Sequence, residues 1–320
     1  MRYLIYGTGG VGGFFGGKLA RAGEDVWFLA RGTHLRALRR KGLWVRSSEG
    51  SFRIRSGQFT DDPSKVPPPD VVLFCVKTYD TEEAAKRLAS ILPRTTIIIS
   101  LQNGVENEKV IKRLVPRATV YGGVAYIFST ITAPGTVTEW GGPRKIVFGP
   151  MNGVITQRAR EIEASMMRAG IDVKLTDDIT TELWKKLIFI ASGGGFMTMS
   201  GLSLAELMKV SASREVFFNA MKEAAAVARA RGIKIPSDFV ERQFKILSAN
   251  PSTARTSMYH DLVRGRPLEI EALAGAIVRF ARRHRISTPI NDTIYAALLP
   301  HHLMHVEQRS ASGSRSTHRR

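Results

Sequence analysis

Apolar residues in the first half of the chain come as short runs separated by stretches of helical period. Tyr3-Leu4-Ile5-Tyr6, Asp25-Val26-Trp27-Phe28-Leu29-Ala30, Val71-Val72-Leu73-Phe74-Cys75-Val76 and Ile97-Ile98-Ile99-Ser100-Leu101 read as strands over 2–6, 25–30, 71–76 and 97–101. Helices are predicted near 11–21, 80–91 and 106–114. Residues 43–47 and 52–55 read as short antiparallel strands, and Asp62 to Asp70, with four prolines, as a loop. Further strands are predicted at 120–128, 135–139, 146–148 and 173–175, around a helix at 155–168. Strands buried on both faces and alternating with helices define a doubly wound α/β sheet, here with extra strands at one side. After about residue 178 the period changes. Helices are predicted at 180–192, 203–210, 212–231, 238–249 and 269–284, and β-rich segments disappear. No internal repeat is visible.

The first strand runs directly into Gly7-Thr8-Gly9-Gly10-Val11-Gly12, which opens a helix. In this setting Gly7 permits the tight turn and Gly9 lets the backbone approach a pyrophosphate. Gly12 lets helix and sheet pack closely. The N–H groups of Gly10, Val11 and their neighbours, with the positive end of the helix dipole, then face the phosphates. The sequence therefore predicts an α/β fold with an N-terminal Rossmann-like dinucleotide-binding domain over 1–177 and a C-terminal all-helical domain over 178–308. Residues 309–320 are too polar to bury a core and read as a disordered basic tail. The second strand ends not in an acid, which would bind ribose hydroxyls, but in Arg31-Gly32. A guanidinium fork matches a 2′-phosphate, so the expected cofactor is NADP(H). Arg36, Arg39 and Arg40 read as solvated surface.

The chain has 320 residues, enough for two cores, and an ordinary balance of 43% hydrophobic and 23% charged residues. Its one cysteine, Cys75, excludes an internal disulfide and sits in an apolar run, as a structural thiol does. No zinc-ligand spacing occurs, and no metal is expected. No signal-peptide pattern and no apolar segment of transmembrane length are visible, so a cytoplasmic protein without a membrane partner is expected. The net charge of +19 favours anionic partners. Phosphate-rich cofactors and carboxylate substrates satisfy it, and no nucleic-acid-binding motif accompanies it.

Candidate chemistry falls in four places. Lys77 follows the strand 71–76 and Asn103 the strand 97–101, both at the carboxyl edge where ligands bind in such sheets. Trp184-Lys185-Lys186-Leu187 places two lysines about 100° apart on one helix, so they face different environments. Pattern alone does not choose between them. In Thr256-Ser257-Met258-Tyr259-His260-Asp261, Ser257 and Asp261 share a helix face. Glu269 and Glu271 follow the break at Gly265 to Pro267 and are expected in the first turn of the next helix.

With these segments in order, the sequence resembles the ketopantoate reductase (2-dehydropantoate 2-reductase) family over about residues 1–305. The likeness is carried by Gly7 to Gly12, Leu29-Ala30-Arg31-Gly32, Cys75-Val76-Lys77-Thr78, Leu101-Gln102-Asn103-Gly104-Val105, Trp184-Lys185-Lys186-Leu187 and the stretch from Ser257-Met258 to Glu269-Ile270. It implies NADPH-dependent reduction of ketopantoate to pantoate, on the route to pantothenate and coenzyme A, in a cleft between the two domains. It also implies that Lys186 is the catalytic lysine and that Glu269 contacts the reacting oxygen and the cofactor. By the same likeness Ser257 binds substrate, and Lys77 and Asn103 act near nicotinamide and substrate. A homodimer is permitted. Two departures stand out: Ile190 and Gly194 occupy positions where the best characterised family form has substrate-holding asparagines. They open the alternative of a reductase for another 2-keto acid or related carbonyl compound. A non-catalytic nucleotide-binding protein is a further alternative, against which the retained Lys186 and Glu269 argue.

Overall fold

The computed structural model describes residues 1–317, with side chains to residue 308. The chain divides into two compact units, one of Met1–Gln102 with Glu106–Leu183, the other of Asn103–Val105 with Trp184 onward. This division falls between Leu183 and Trp184.

In the first unit the chain runs β1 (Arg2–Tyr6), α1 (Gly10–Arg21), β2 (Asp25–Leu29), α2 (Gly32–Lys41), β3 (Leu43–Arg46), β4 (Phe52–Ile54), β5 (Gln58–Thr60), β6 (Val71–Phe74), α3 (Thr81–Ala89) and β7 (Ile97–Ser100). It continues through α4 (Asn107–Leu114), β8 (Thr119–Tyr126), β9 (Ser129–Ala133), β10 (Thr136–Glu139), β11 (Lys145–Pro150), α5 (Gln157–Arg168) and β12 (Asp172–Leu175). Eight strands form one sheet in the order β12-β11-β8-β7-β6-β1-β2-β5, parallel except between β8 and β11. Alternation along each central strand feeds two cores. Tyr3, Ile5, Leu73 and Ile99 pack with Phe14, Phe15 and Leu19 of α1 and Ile162 and Met166 of α5. Leu4, Tyr6, Phe74 and Ile98 pack on the opposite side with Ala84, Leu88 and Ile111 of α3 and α4. Helices on both faces are why these strands read as unbroken apolar runs.

The expected extra strands at one side of the sheet are in part a separate sheet. Its order is β4-β3-β10-β9, with β3 and β10 parallel and Trp44 opposite Thr136. Helix α2 and strands β5 and β9 were not predicted. The face of Leu35 and Leu38 that buries α2 is interrupted by arginines, and β5 is a three-residue edge strand.

Glu108, in the first turn of α4, is 2% exposed, and burial pushes its pKa up to about 7 against the opposing pull of its own backbone N–H and the Ser100 hydroxyl. The folded state thus holds this proton more tightly than the unfolded chain, whose carboxyl titrates near 4.5. The corresponding stability is present below about pH 4.5 and is lost as pH rises through about 7. Glu108→Gln should remove that loss, leaving the variant more stable above pH 8 by up to about 3 kcal/mol in urea unfolding. Equal pH dependence in the two proteins would refute the assignment.

The second unit is built on α6 (Ile179–Ser200), α7 (Leu204–Leu207), α8 (Ser211–Ala230), α9 (Phe239–Ala249), α10 (Ser257–Val263), α11 (Ala274–His284) and α12 (Pro289–Thr317). Trp184, Leu187 and Ile188 of α6, Phe217, Met221 and Ala224 of α8, Ile277 and Phe280 of α11, and Ile294 and Leu298 of α12 share one core. Helix α6 continues through Gly193-Gly194-Gly195, beyond its predicted end at 192. Helix α11 starts at Ala274, so Glu269 and Glu271 lie in the bend and turns before it, not in its first turn. Helix α12 was not predicted; it takes in the backbone of 309–317, where no order is expected, and 318–320 lie outside the described residues. Among the described residues no helix is long and apolar enough to cross a membrane.

Candidate active site

In the first unit the strand order reverses at β1, which lies between β2 and β6. A crevice forms at such a switch point, beyond the carboxyl ends of the strands. The glycine loop lies there. Gly7 has φ +105°, and a Cβ on it would sit 2.9 Å from the Cys75 carbonyl carbon, so both conformation and space require glycine. Gly12 packs against the Gly7 carbonyl and Ile5, and Gly10 against the backbone of Ser129. Gly9 differs: a Cβ there would meet nothing within 4 Å. It is the N-cap of α1, without a side-chain cap and without an acid in the first turn. The bare backbone at Gly9 and the start of α1 therefore leave a helix N-terminus open to an anion. A cavity of about 250 Å³ adjoins it, lined by Gly7, Thr8, Gly9, Arg31, His34 and Lys77 among others. These residues fit the pyrophosphate of a dinucleotide. Thr8 directs both its N–H and its hydroxyl to the Leu29 carbonyl, at 2.9 Å each, and so ties the loop to β2.

Arg31 is the N-cap of α2 and half exposed. Its guanidinium meets Asp80 at 2.9 Å and Glu83 at 4.0 Å. Both acids line the same cavity. The sequence reading missed them, because they are distant in sequence from the arginine they face. His34, also missed, accepts the Gly135 N–H through Nδ1 at 3.1 Å; burial lowers its pKa, opposed by the Thr8 backbone.

The second unit brings together three of the sequence candidates. Lys186 projects from α6 toward the Glu269 carboxylate. Burial pushes the ammonium's pKa down to about 8, against the attraction of Glu269, which acts the other way. Glu269 is 6% exposed. The Asn103 amide donates to its Oε2 at a long 3.5 Å. The segment carrying Glu269 is fixed on either side. The buried His302 of α12 accepts the Leu268 N–H at 3.1 Å, and the Glu269 carbonyl accepts from Ala272 at 3.1 Å and Leu273 at 3.2 Å. Sequence offered no signal for His302. Ser257 is exposed at the start of α10, and Thr256, which caps that helix, shares a 2.9 Å hydrogen bond with Thr198 of α6. Lys77 belongs to the first unit, beside the nucleotide cavity.

A dinucleotide cradle in one unit and a partly buried lysine facing a carboxylate in the other define an oxidoreductase of the nicotinamide-dependent class. Two family models match the chain: Ketopantoate reductase PanE/ApbA over residues 3–153 and Ketopantoate reductase PanE/ApbA C terminal over 178–301. The chain is 30% identical to the 2-dehydropantoate 2-reductase of Halobacterium salinarum, with 92% of this chain and 96% of that protein covered. It is 29% identical to the 2-dehydropantoate 2-reductase of Nostoc, covering 98% and 97%. The PanE/ApbA family ketopantoate reductase from Ralstonia eutropha superposes with a TM-score of 0.87 at 31% identity, over 95% of this chain and 99% of that one. The chain belongs to the ketopantoate reductase family, whose activity is reduction of ketopantoate and related 2-keto acids with NAD(P)H.

Proposed function

We propose that the protein reduces the C2 ketone of 2-dehydropantoate (ketopantoate) to pantoate, with NADPH as the reductant and Lys186 as the general acid. The observation that carries this reading is Lys186 itself, with its lowered pKa and its carboxylate partner Glu269. When bound, the reduced nicotinamide supplies the hydride to C2. As the C=O π pair moves onto oxygen, the Lys186 ammonium hydrogen-bonds the growing negative charge and transfers a proton to it. A compact cationic donor suits this task better than a planar guanidinium, which does not release its proton. Glu269 holds the lysine in position and accepts the product hydroxyl. Asn103, donating to Glu269, orients that carboxylate or the reacting groups. Ser257 binds the substrate carboxylate or distal hydroxyl, and Lys77 acts near nicotinamide and substrate. Gly7 to Gly12 hold the pyrophosphate, and Arg31 receives the 2′-phosphate. The role assigned with this reaction is a cytoplasmic one, in making pantothenate and coenzyme A.

Steady-state loss of NADPH absorbance on adding ketopantoate, with pantoate identified as the product, tests the reading. The expected result is turnover with one pantoate formed per NADPH consumed. Failure to oxidise NADPH with ketopantoate or any other 2-keto acid would overturn it.

A further inference from the structure

The cavity beside the glycine loop has an apolar floor. Tyr6 is the last residue of β1 and stands directly before Gly7. It is paired in register with Phe74 of β6, and the two rings stack with centroids 5.5 Å and planes 10° apart. Both side chains belong to the core under α3 and α4. Tyr6 is 3% exposed, and it lines the cavity together with Leu29, Ala30, Val76 and Ala84. A ring edged by aliphatic groups suits the face of a heterocyclic base better than it suits phosphate.

The Tyr6 hydroxyl is out of place in such a core. It is buried, and no described residue hydrogen-bonds it. Burial raises its pKa, against the pull of Arg87 and Arg31 and with the help of Glu83 and Asp80, so the group keeps its proton and can donate. Those four charged side chains line the same cavity, which puts the oxygen at the cavity end of the ring. A buried hydroxyl left unpaired carries its full desolvation penalty, and phenylalanine would fill the same space without it.

Sheet order shows what spans this floor. Strand β1 lies between β2 and β6. Arg31 follows β2 and Asp80 follows β6, so their 2.9 Å ion pair reaches across the end of β1. Arg31 is half exposed. An ion pair so exposed is weak and opens at little cost, which gives a base its way to the floor.

We propose that Tyr6 is a cofactor-binding residue: the adenine of the dinucleotide lies on this floor, and the Tyr6 hydroxyl donates to a nitrogen of the base. The proposal rests on the dinucleotide occupying this cavity and is independent of which keto acid is reduced. Holding the base end of the cofactor, the hydroxyl acts on affinity and not on the chemical step.

Tyr6→Phe removes the oxygen and keeps the ring. Dissociation constants of NADPH and NADH, measured by protein fluorescence, should both rise about five- to tenfold, with kcat at saturating cofactor unchanged. ADP-ribose, which has the base but no nicotinamide, should weaken by the same factor. The cofactor-free variant should unfold in urea at the wild-type midpoint or above it. Unchanged dissociation constants would overturn the proposal. So would a loss confined to NADPH, which would assign the hydroxyl to the 2′-phosphate. A lower midpoint, or a variant that does not fold, would make the hydroxyl structural and overturn it as well. If the wild-type protein bound none of the three nucleotides, the reading of this cavity as the dinucleotide site would fall, and this proposal with it.

Discussion

Lys186→Ala should lower kcat for keto-acid reduction by about a hundred- to ten-thousandfold, the range for loss of a positioned general acid. NADPH affinity, measured by fluorescence titration, should change little, because the glycine loop and Arg31 lie in the other unit. Lys186→Arg should rescue poorly: a guanidinium keeps the charge but does not release a proton in the working range. The pH profile gives an independent check. Only the ammonium form can donate, so kcat/KM for reduction should be level below about pH 8 and fall about tenfold per pH unit above it. Burial sets that limb, and loosening the surroundings of Lys186 should move it upward. Lys185, about 100° around the helix, serves as the control. A large loss on Lys185→Ala with none on Lys186→Ala would reverse the assignment.

Arg31→Ala should weaken NADPH binding by about ten- to a hundredfold, the worth of one or two charge-assisted hydrogen bonds, and leave NADH nearly unaffected. The effect is moderated by what the guanidinium already does. Asp80 holds it at 2.9 Å, so a 2′-phosphate must share or displace that carboxylate. In the variant Asp80 and Glu83 remain in the cavity lining and repel the phosphate, which widens the gap between the two cofactors. Dissociation constants for NADPH and NADH, measured in parallel with each protein, decide the matter. An unchanged preference would sink the 2′-phosphate role.

What sequence reveals here follows the range of the interactions concerned. The central strands of the large sheet, β1, β6 and β7, were legible because they are buried on both faces and so are apolar almost throughout. The glycine loop was legible because its geometry is local: the φ of Gly7 and the contact of Gly12 with Gly7 belong to one turn. Arg31 could be read as a phosphate ligand, but Asp80, which faces it across 49 residues of sequence, could not. Lys186 could be separated from Lys185 only through the family likeness; in the structure the carboxylate it faces is Glu269. His302, which fixes the backbone before Glu269, comes from a helix with Pro300 in its interior, and that proline obscures the helical pattern.

The parallel pairing of β3 with β10 also bears on how the protein comes to be folded. Trp44 meets Thr136 and Arg46 meets Thr138, so these hydrogen bonds close a loop that contains four of the eight strands of the large sheet, β5 to β8. A ribosome must deliver the chain well past Glu139 before β3 acquires this neighbour. Pairings so distant in sequence form slowly, because loop-closure entropy is lost before the contact is gained. Until then β3 and β4 form a two-stranded hairpin against α1, with the inner edge of β3 open to other chains. The nascent polypeptide is therefore most vulnerable to association during synthesis of the segment between Arg46 and Thr136.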